Sequence, residues 1–466
     1  MSKLKIGYMP TKRRFFSGED AFRYKELIRG QLPEIAPEVE FVDLEGINDS
    51  GLLTTPEDAR AASQRFITAG VDGLFAPHCN FGCEEAVGIT AKAVGKPLLL
   101  WGPRDEAPLA NGERLRDSQC GLFATSKVLQ RFGVNFSYIV NSRVSDREFI
   151  EGFRRFLAAV DVVRNFKDAR IGQISTRPKD FYSVIVNEGE LLERFGIQTI
   201  PYDLGKLTAA VKALAAAPSD EVRETAENFK QRVDFSAMTS DALLRMAALK
   251  AVLLKWKADE QLNAAAFQCW DQLQTDLGIC PCFVNSVLIE CGFPVACETD
   301  IHGAISMLLQ QAAVSFSKPV FLADLTIRHP GDENSELLWH CGAFPASLAE
   351  GACKLGKHFV LPGNPDGVCC WQLKQGHLTI NRFDGIRGHY NLFCGECETT
   401  TGPFNQGTFV YARMDDWPAW EEKFIYGPYI HHVSCIYDAL TPVFKEAVRY
   451  LDGVELDLIE GGAPCR

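Results

Sequence analysis

Short apolar runs alternate with longer stretches of helical period over the first third of the chain. Residues 3–9, 40–44, 71–77, 96–101 and 135–140 are brief, apolar and bounded by Gly, Pro or Asp, which predicts strands. Between them lie helical patterns. One opens at Thr55-Pro56-Glu57-Asp58, an N-cap followed by proline at the first helical position and acids in the first turn, and closes at Ala69-Gly70. Such alternation predicts a parallel, doubly wound sheet whose functional residues lie beyond the carboxyl ends of its strands.

A second α/β pattern begins near Phe166. Strands at 169–175 and 197–202 flank a helix at 187–195 closed by Gly196, and an Ala- and Lys-rich helical region covers 207–257. Beyond residue 316 the character changes. Gly, Thr, Tyr and Trp rise, short strands are predicted at 358–361, 368–373, 377–383 and 408–414, and one helix follows at 440–451. The division expected is a Rossmann-like doubly wound α/β domain at 1–165, a second at 166–316, and a β-rich, barrel-like domain at 317–466.

The bulk composition narrows the function. A chain of 466 residues that is 46% hydrophobic can bury a large core, and its net charge of −12 argues against nucleic acid as the main partner. No apolar run reaches the roughly 18 residues of a membrane span. The opening Met1-Ser-Lys-Leu-Lys-Ile has no signal-peptide core, so a cytoplasmic protein is expected. The 16 cysteines are scattered through apolar segments, which predicts buried thiols and no disulfide framework. Cys394-Gly-Glu-Cys397 and Cys280-Pro-Cys282 lack the second pair that structural zinc requires. No Gly-x-Gly-x-x-Gly follows the first strand, which removes a dinucleotide site.

Candidate chemistry centres on Glu298, which follows an apolar run and precedes a helix expected at 301–313, and on Asp324 inside the apolar strand 319–325. A carboxylate in such a strand is costly unless it is paired or bound to a cation. His431-His432 lie in another apolar stretch, 429–437, and on a strand only one of them can face the carboxylates. Two carboxylates and one imidazole suit a divalent metal, Mn²⁺ above others, and the same carboxylates can move protons. Arg13, Arg14, Asn80, Phe81, Glu84 and the segment Trp101 to Arg104 fall at strand ends. Trp101 either stacks on a sugar face or fills the core, and the arginines either meet a ligand or form a solvated turn.

Several segments occur together in order: Ile6-Gly-Tyr-Met-Pro10 with Arg13-Arg14, Asn80-Phe-Gly-Cys-Glu-Glu-Ala86, Leu100-Trp-Gly-Pro-Arg104, Leu115-Arg-Asp-Ser-Gln-Cys-Gly-Leu-Phe-Ala124, Glu298-Thr-Asp-Ile-His-Gly-Ala304, Asp324, and Gly427-Pro-Tyr-Ile-His-His432. On these the chain resembles the L-fucose isomerase-like proteins of the fucose/arabinose isomerase superfamily, nearly end to end. The resemblance implies three domains, a metal-dependent aldose–ketose isomerisation through an enediol, and a homo-oligomer in which a neighbouring subunit's first domain covers the site. It implies Glu298, Asp324 and His432 as ligands of Mn²⁺ or another divalent metal, with Glu298 and Asp324 also catalytic. His340, in Leu337-Leu-Trp-His-Cys-Gly342, is a fourth ligand, as in the arabinose enzymes, a hydrogen-bonder to substrate, or a satisfied core histidine. The expected substrate-binding set is Arg13, Arg14, Asn80, Phe81, Trp101, Arg104, His340 and His431.

This chain is shorter than typical L-fucose isomerases, which leaves the sugar open. Arg13, Arg14, Arg104 and Arg177 are more cationic than a neutral deoxysugar requires, and a guanidinium suits a sulfonate, phosphate or carboxylate. An anionic hexose such as sulfoquinovose and a 6-deoxyhexose such as fucose are therefore the substrate expectations. Internal pairing of these arginines with Glu84, Asp105 or Glu106 is the competing account. The alternative function on the same fold is a non-catalytic sugar-binding protein or sensor.

Overall fold

The structure, a computed structural model, describes residues 3–359, 363 and 365–459. Two compact units result: residues up to Arg164 together with Lys445–Asp452, and Asn165–Phe444 together with the residues from Gly453 on.

The first unit is built on β1 (Lys5–Tyr8), β2 (Glu40–Val42), β3 (Gly73–Pro77), β4 (Leu98–Trp101) and β5 (Ser137–Tyr138), all parallel, in the order β2-β1-β3-β4-β5. Its helices are α1 (Gly18–Ile35), α2 (Pro56–Ala69), α3 (Glu84–Val94), α4 (Ser118–Phe132) and α5 (Arg147–Phe166). Strand alternation sorts the core into two layers. Tyr8, Phe75, Leu99 and Trp101 pack with Ile28 and Leu32 of α1 and Phe149 and Phe153 of α5. Leu74, Ala76, Leu98 and Leu100 pack with Phe66 of α2, Val87 of α3 and Leu122 of α4. Helices therefore cover both faces, which explains the uninterrupted apolar strands. The α2 cap is as its sequence predicts: Thr55 and Asp58 form a reciprocal capping box and Gly70 ends the helix in the left-handed conformation. Tyr450 ties Lys445–Asp452 to this unit, donating to the Leu98 carbonyl at 3.0 Å and sharing a 2.6 Å hydrogen bond with Ser137.

The second unit holds a parallel sheet of β6 (Arg170–Ile174), β7 (Gln198–Tyr202), β8 (Ala264–Phe267) and β9 (Val295–Cys297), ordered β7-β6-β8-β9. Its helices begin with α6 (Glu188–Phe195). The region expected to be helical over 207–257 is three helices, α7 (Leu204–Ala216), α8 (Asp220–Arg232) and α9 (Ser240–Asp259). Ser219 and Thr239 restart it by accepting from the Val222 and Ala242 N–H groups. Then come α10 (Gln272–Leu277), α11 (Cys282–Glu290) and α12 (Ile301–Ala313). Every residue of α12 is buried. It lies between β6, β8 and β9 on one side and strands of a larger sheet on the other.

That larger sheet contains β10 (Phe321–His329), β11 (Asp332–His340), β12 (Lys354–Lys357), β13 (Asp366–Gln372), β14 (His377–Ile386), β15 (His389–Thr400), β16 (Thr408–Arg413), β17 (His432–Ile436) and β18 (Val454–Leu458). Its order is β12-β13-β16-β11-β10-β17-β14-β15-β18, and β16 also pairs with β15. That extra pairing closes six antiparallel strands into a ring of hydrogen-bonded neighbours. The strand expected at 358–361 lies partly outside the described residues, and β12 ends before it. Two helices complete the unit's chain: α13 (Trp417–Tyr426), and α14 (Thr441–Ala447), which leads into Lys445–Asp452. No helix among the described residues is long and apolar enough to cross a membrane.

Candidate active site

The order of the four-stranded sheet reverses between β6 and β8, so the loops leaving β6, β8 and β9 diverge around one position. The β9 loop carries Glu298. Glu298 and Thr299 both adopt left-handed backbone, with φ of 61° and 58°. Two consecutive non-glycine residues there cost about 1–3 kcal/mol each. The turn is fixed on both sides. The Thr299 N–H donates to the Phe267 carbonyl at 3.1 Å, and Asp300 caps α12 by accepting from the Gly303 N–H at 2.9 Å.

The other half of the site comes from β10 and β17, where Asp324 stands opposite His432 in register. Cross-strand partners share a face, so both side chains point the same way. His432 Nε2 lies 3.0 Å from Glu298 Oε2 and 3.6 Å from Asp324 Oδ1. The indole N–H of Trp270 donates to Glu298 Oε1 at 3.1 Å. Phe181, on the loop after β6, packs its ring against both His431 and His432.

A buried charge network stands behind this cluster. His432 Nδ1 is 2.9 Å from Asp300 Oδ2. The guanidinium of Arg382, fully buried on β14, donates to both Asp300 oxygens and to Asp384. Asp384 in turn meets His302 Nδ1 at 2.9 Å. Gly303 leaves the room this needs, since a Cβ there would lie 2.5 Å from Asp300 Oδ2. The electrostatics follow. Burial opposes charge on Asp300, but Arg382 and His432 hold its carboxyl well below the usual range. Burial likewise opposes charge on His432, yet its hydrogen bond to Asp300 and the nearby Glu298 push it up to about 10. Burial raises the Asp324 carboxyl to about 6 and lowers the His431 imidazole to about 4.

These residues fit a divalent cation. Asp324 Oδ1 and His432 Nε2 are buried and make no hydrogen bond, the approach of Nε2 to Glu298 lacking hydrogen-bond geometry. One ligand atom each from Asp324, His431 and His432 fall within 4.8 Å of one another. The Nδ1 of His432 is committed to a carboxylate, which is how a metal-ligating histidine is usually oriented. His340 is buried at the end of β11, close enough to Asp324 to lower its carboxyl. Its Nδ1 accepts from the Cys341 N–H at 2.9 Å, and its Nε2 has no partner.

The remaining expected residues belong to the first unit. Asn80 is fully buried and braces a loop, accepting from the Arg13 and Gly82 N–H groups and donating to the Arg13 and Ser17 carbonyls. Arg13 pairs with Glu84 at 3.1 Å and covers the Phe81 ring at 4.0 Å. Phe81 also stacks on Phe16, and its carbonyl lies so near α4 that a Cβ at Gly121 would sit 1.6 Å from it. Arg14 is exposed over the Phe15 ring. Trp101 is fully buried against Phe149, its indole N–H donating to Ser142 at 3.1 Å. Arg104 is exposed, and Asp105 and Glu106 pair with Arg116.

Residues 7–167 match the family described as fucose/sulfoquinovose isomerase, N-terminal domain. A sulfoquinovose isomerase of Alkalicoccus urumqiensis is 27% identical over 413 residues, covering 87% of this chain and 88% of that protein. Another, of Priestia aryabhattai, is 26% identical over 424 residues, covering 89% and 90%. Over these spans the chain is similar to the fucose/sulfoquinovose isomerases. A D-allose-bound periplasmic solute-binding protein of Actinobacillus succinogenes aligns with 67% of the chain at 13% identity, but its TM-score of 0.17 carries no weight.

Sequence reasoning singled out Glu298, Asp324, His431 and His432, which the fold brings to one place, and missed the residues that orient them. Trp270, Asp300, His302, Arg382 and Asp384 had no assigned role. Arg382 carried a signal: it is a charge within the apolar strand expected at 377–383, the same feature that singled out Asp324. Asp300 carried another, an acid three residues before a glycine at a helix start.

Proposed function

We propose that this chain is a divalent-metal-dependent aldose–ketose isomerase, with manganese as its cation and a sulfonated hexose of the sulfoquinovose type as its substrate. The observation that carries the reaction is the convergence of Glu298 and Asp324 on His432, with Asp300 fixing the imidazole. The relatives named sulfoquinovose isomerase support the choice of sugar over a neutral 6-deoxyhexose.

Glu298, Asp324 and His432 would hold the cation, and His431 lies within reach of it. The chemistry supplied by a cation held there would be Lewis-acid polarisation of the sugar's carbonyl and hydroxyl oxygens. The protein's own carboxylates then move the protons. One of Glu298 and Asp324 takes the proton from carbon and returns it to the neighbouring carbon, while the other carries the proton between the two oxygens. Asp300 keeps the His432 ring fixed, and Arg382 keeps Asp300 ionised. Phe181 and Trp270 provide an apolar wall that limits water. His340, with a free Nε2 in the same neighbourhood, is placed to hydrogen-bond the sugar.

The architecture around this centre is read as Rossmann-like α/β domains at 1–165 and 166–316 and a barrel at 317–466. The protein acts as a cytoplasmic homo-oligomer, in which Arg13, Arg14 and Arg104 of one subunit meet the anionic end of a sugar in its neighbour. The test is metal analysis of chelator-treated and reloaded protein, followed by assay of sulfoquinovose, fucose and glucose for ketose formation. Stoichiometric manganese and a higher kcat/KM for the sulfonated sugar are expected. Equal kcat/KM for sulfonated and neutral sugars would return the substrate to a neutral aldose. Tight sugar binding without metal or turnover would instead mark a sugar-binding protein.

A further inference from the structure

Five thiols outside this chemistry gather beside the candidate site, in two apolar clusters that hold Cys269 with Cys297, and Cys280 with Cys282 and Cys341. Among the described residues every cysteine is free. One pair is set apart by geometry. The sulfurs of Cys282 and Cys341 are 3.9 Å apart, within contact distance, although 59 residues separate them in sequence. Cys341 Sγ also lies 3.3 Å from His340 Nδ1, which accepts from the Cys341 N–H. Cys282 is the first residue of α11, and its contacts with Cys280 and Cys341, together with burial, hold its thiol well above the ordinary range, which suits the second thiol of a pair. Cys341 is the more exposed residue of the two, half-buried where Cys282 is buried.

We propose that Cys282 and Cys341 form an oxidation-sensitive dithiol that a hydroperoxide closes to a disulfide. The Cys341 thiol gives its proton to solvent and the sulfur attacks the peroxide. The O–O bond breaks, the departing oxygen takes a proton from solvent and leaves as water or alcohol, and Cys341 becomes a sulfenic acid. The Cys282 sulfur then displaces that hydroxyl: the S–O bond breaks, the S–S bond forms, and the Cys282 proton leaves with the hydroxyl as water. Two thiols are oxidised by two electrons and one peroxide is reduced. The sulfurs must close from 3.9 Å to about 2.05 Å, which draws the chain at Cys341 toward α11. Because Cys341 directly follows His340, the oxidised protein turns over sugar several-fold more slowly. That consequence rests on the isomerase reading, and the bond itself does not.

The experiment exposes full-length, metal-loaded protein to graded hydrogen peroxide, blocks remaining thiols by alkylation and maps linked peptides without reduction. The expected result is a Cys282–Cys341 crosslink at the lowest effective dose, removed by dithiothreitol. In Cys282→Ser the crosslink is absent and Cys341 is trapped by dimedone as sulfenic acid. Both thiols remaining alkylatable, or Cys269–Cys297 closing first, would overturn the proposal. Peptide mapping of the wild type decides the bond even if a variant fails to fold or no sugar is turned over. A crosslink with unchanged turnover in an active isomerase would overturn the coupling to the site.

Discussion

Each unit contains a parallel sheet with polar loops at the carboxyl ends of its strands, and the two sets of loops differ in how their polar groups are used. In the first unit most satisfy one another; Asp105 Oδ1 and Arg116 Nη1 are buried without a hydrogen bond, but Asp105 Oδ1 lies 3.6 Å from Arg116 Nη2 in an ion pair. Asn80 has partners on both sides of its amide, Arg13 has Glu84, and Trp101 has Ser142. In the second unit, Asp324 Oδ1, His340 Nε2 and His432 Nε2 are buried without hydrogen-bond partners, beside a left-handed turn at Glu298 and Thr299. A parallel sheet offers strand-end positions wherever it occurs. What separates a candidate centre from a brace is polar atoms held in place and left unsatisfied, on a backbone whose strain α12 absorbs through its burial.

The contrast is testable, and the largest effect belongs to the second unit. Glu298→Gln and Asp324→Asn should each lower kcat by about 10²–10⁴-fold and reduce bound metal while leaving the circular dichroism spectrum unchanged. A variant that keeps both turnover and metal would end the distinction drawn here. In the first unit, burial lowers the His78 imidazole from 6.5 to about 4. The unfolded chain therefore binds a proton before the folded one does. Stability is fully present above pH 6.5 and falls as pH drops toward 4, by on the order of 3 kcal/mol. Denaturant titrations at neutral and acid pH should show this loss, and His78→Gln should flatten it. An unchanged midpoint would mean that the unit's strand ends are less closed than described. Asp300→Asn should weaken divalent-cation affinity about 10–100-fold by calorimetry, because His432 loses the carboxylate that orients it. Gly303→Ala should shift affinity in the same direction by crowding Asp300. Unaltered affinity in both would leave the Asp300–Arg382 network purely structural. The smallest effect is expected from Arg13→Gln. Its partly exposed pair with Glu84 contributes at most about 1 kcal/mol to stability. If Arg13 also meets the anionic end of a neighbour's sugar, as proposed above, the same variant loses kcat/KM selectively on a sulfonated sugar; no selective loss would leave Arg13 a brace of its own unit.

Much of this was legible in the chain. The helix expected at 301–313 has those limits, since Asp300 caps it and every residue from Ile301 to Ala313 is buried. Glu298 and Asp324 were legible because acids in apolar surroundings need a reason. Arg382 carried that same signal, but its pairing and that of Asp384 were not legible, because their partners Asp300 and His302 lie on another element and only the docking of β14 on α12 joins them. Trp101 was ambiguous for a different reason. A residue at a strand end points either into the layer beneath or toward a ligand, and its period with Leu99 sets it facing α5. The helical region at 207–257 looked continuous because alanine and lysine favour helix throughout, so its two interruptions rest on single capping hydroxyls at Ser219 and Thr239.

The pairing of β10 with β17 has a consequence for how the chain acquires this centre. Asp324 and His432 are immediate neighbours across the sheet, yet β11 to β16 and α13 lie between them in sequence. Closing so long a loop is entropically costly and slow, whereas Glu298 and Asp300 reach their turn through local contacts. The centre thus has no short precursor fragment that could capture a cation with full strength. During refolding, metal uptake should lag behind the recovery of helix signal, which makes the ion a clock for the last long-range step.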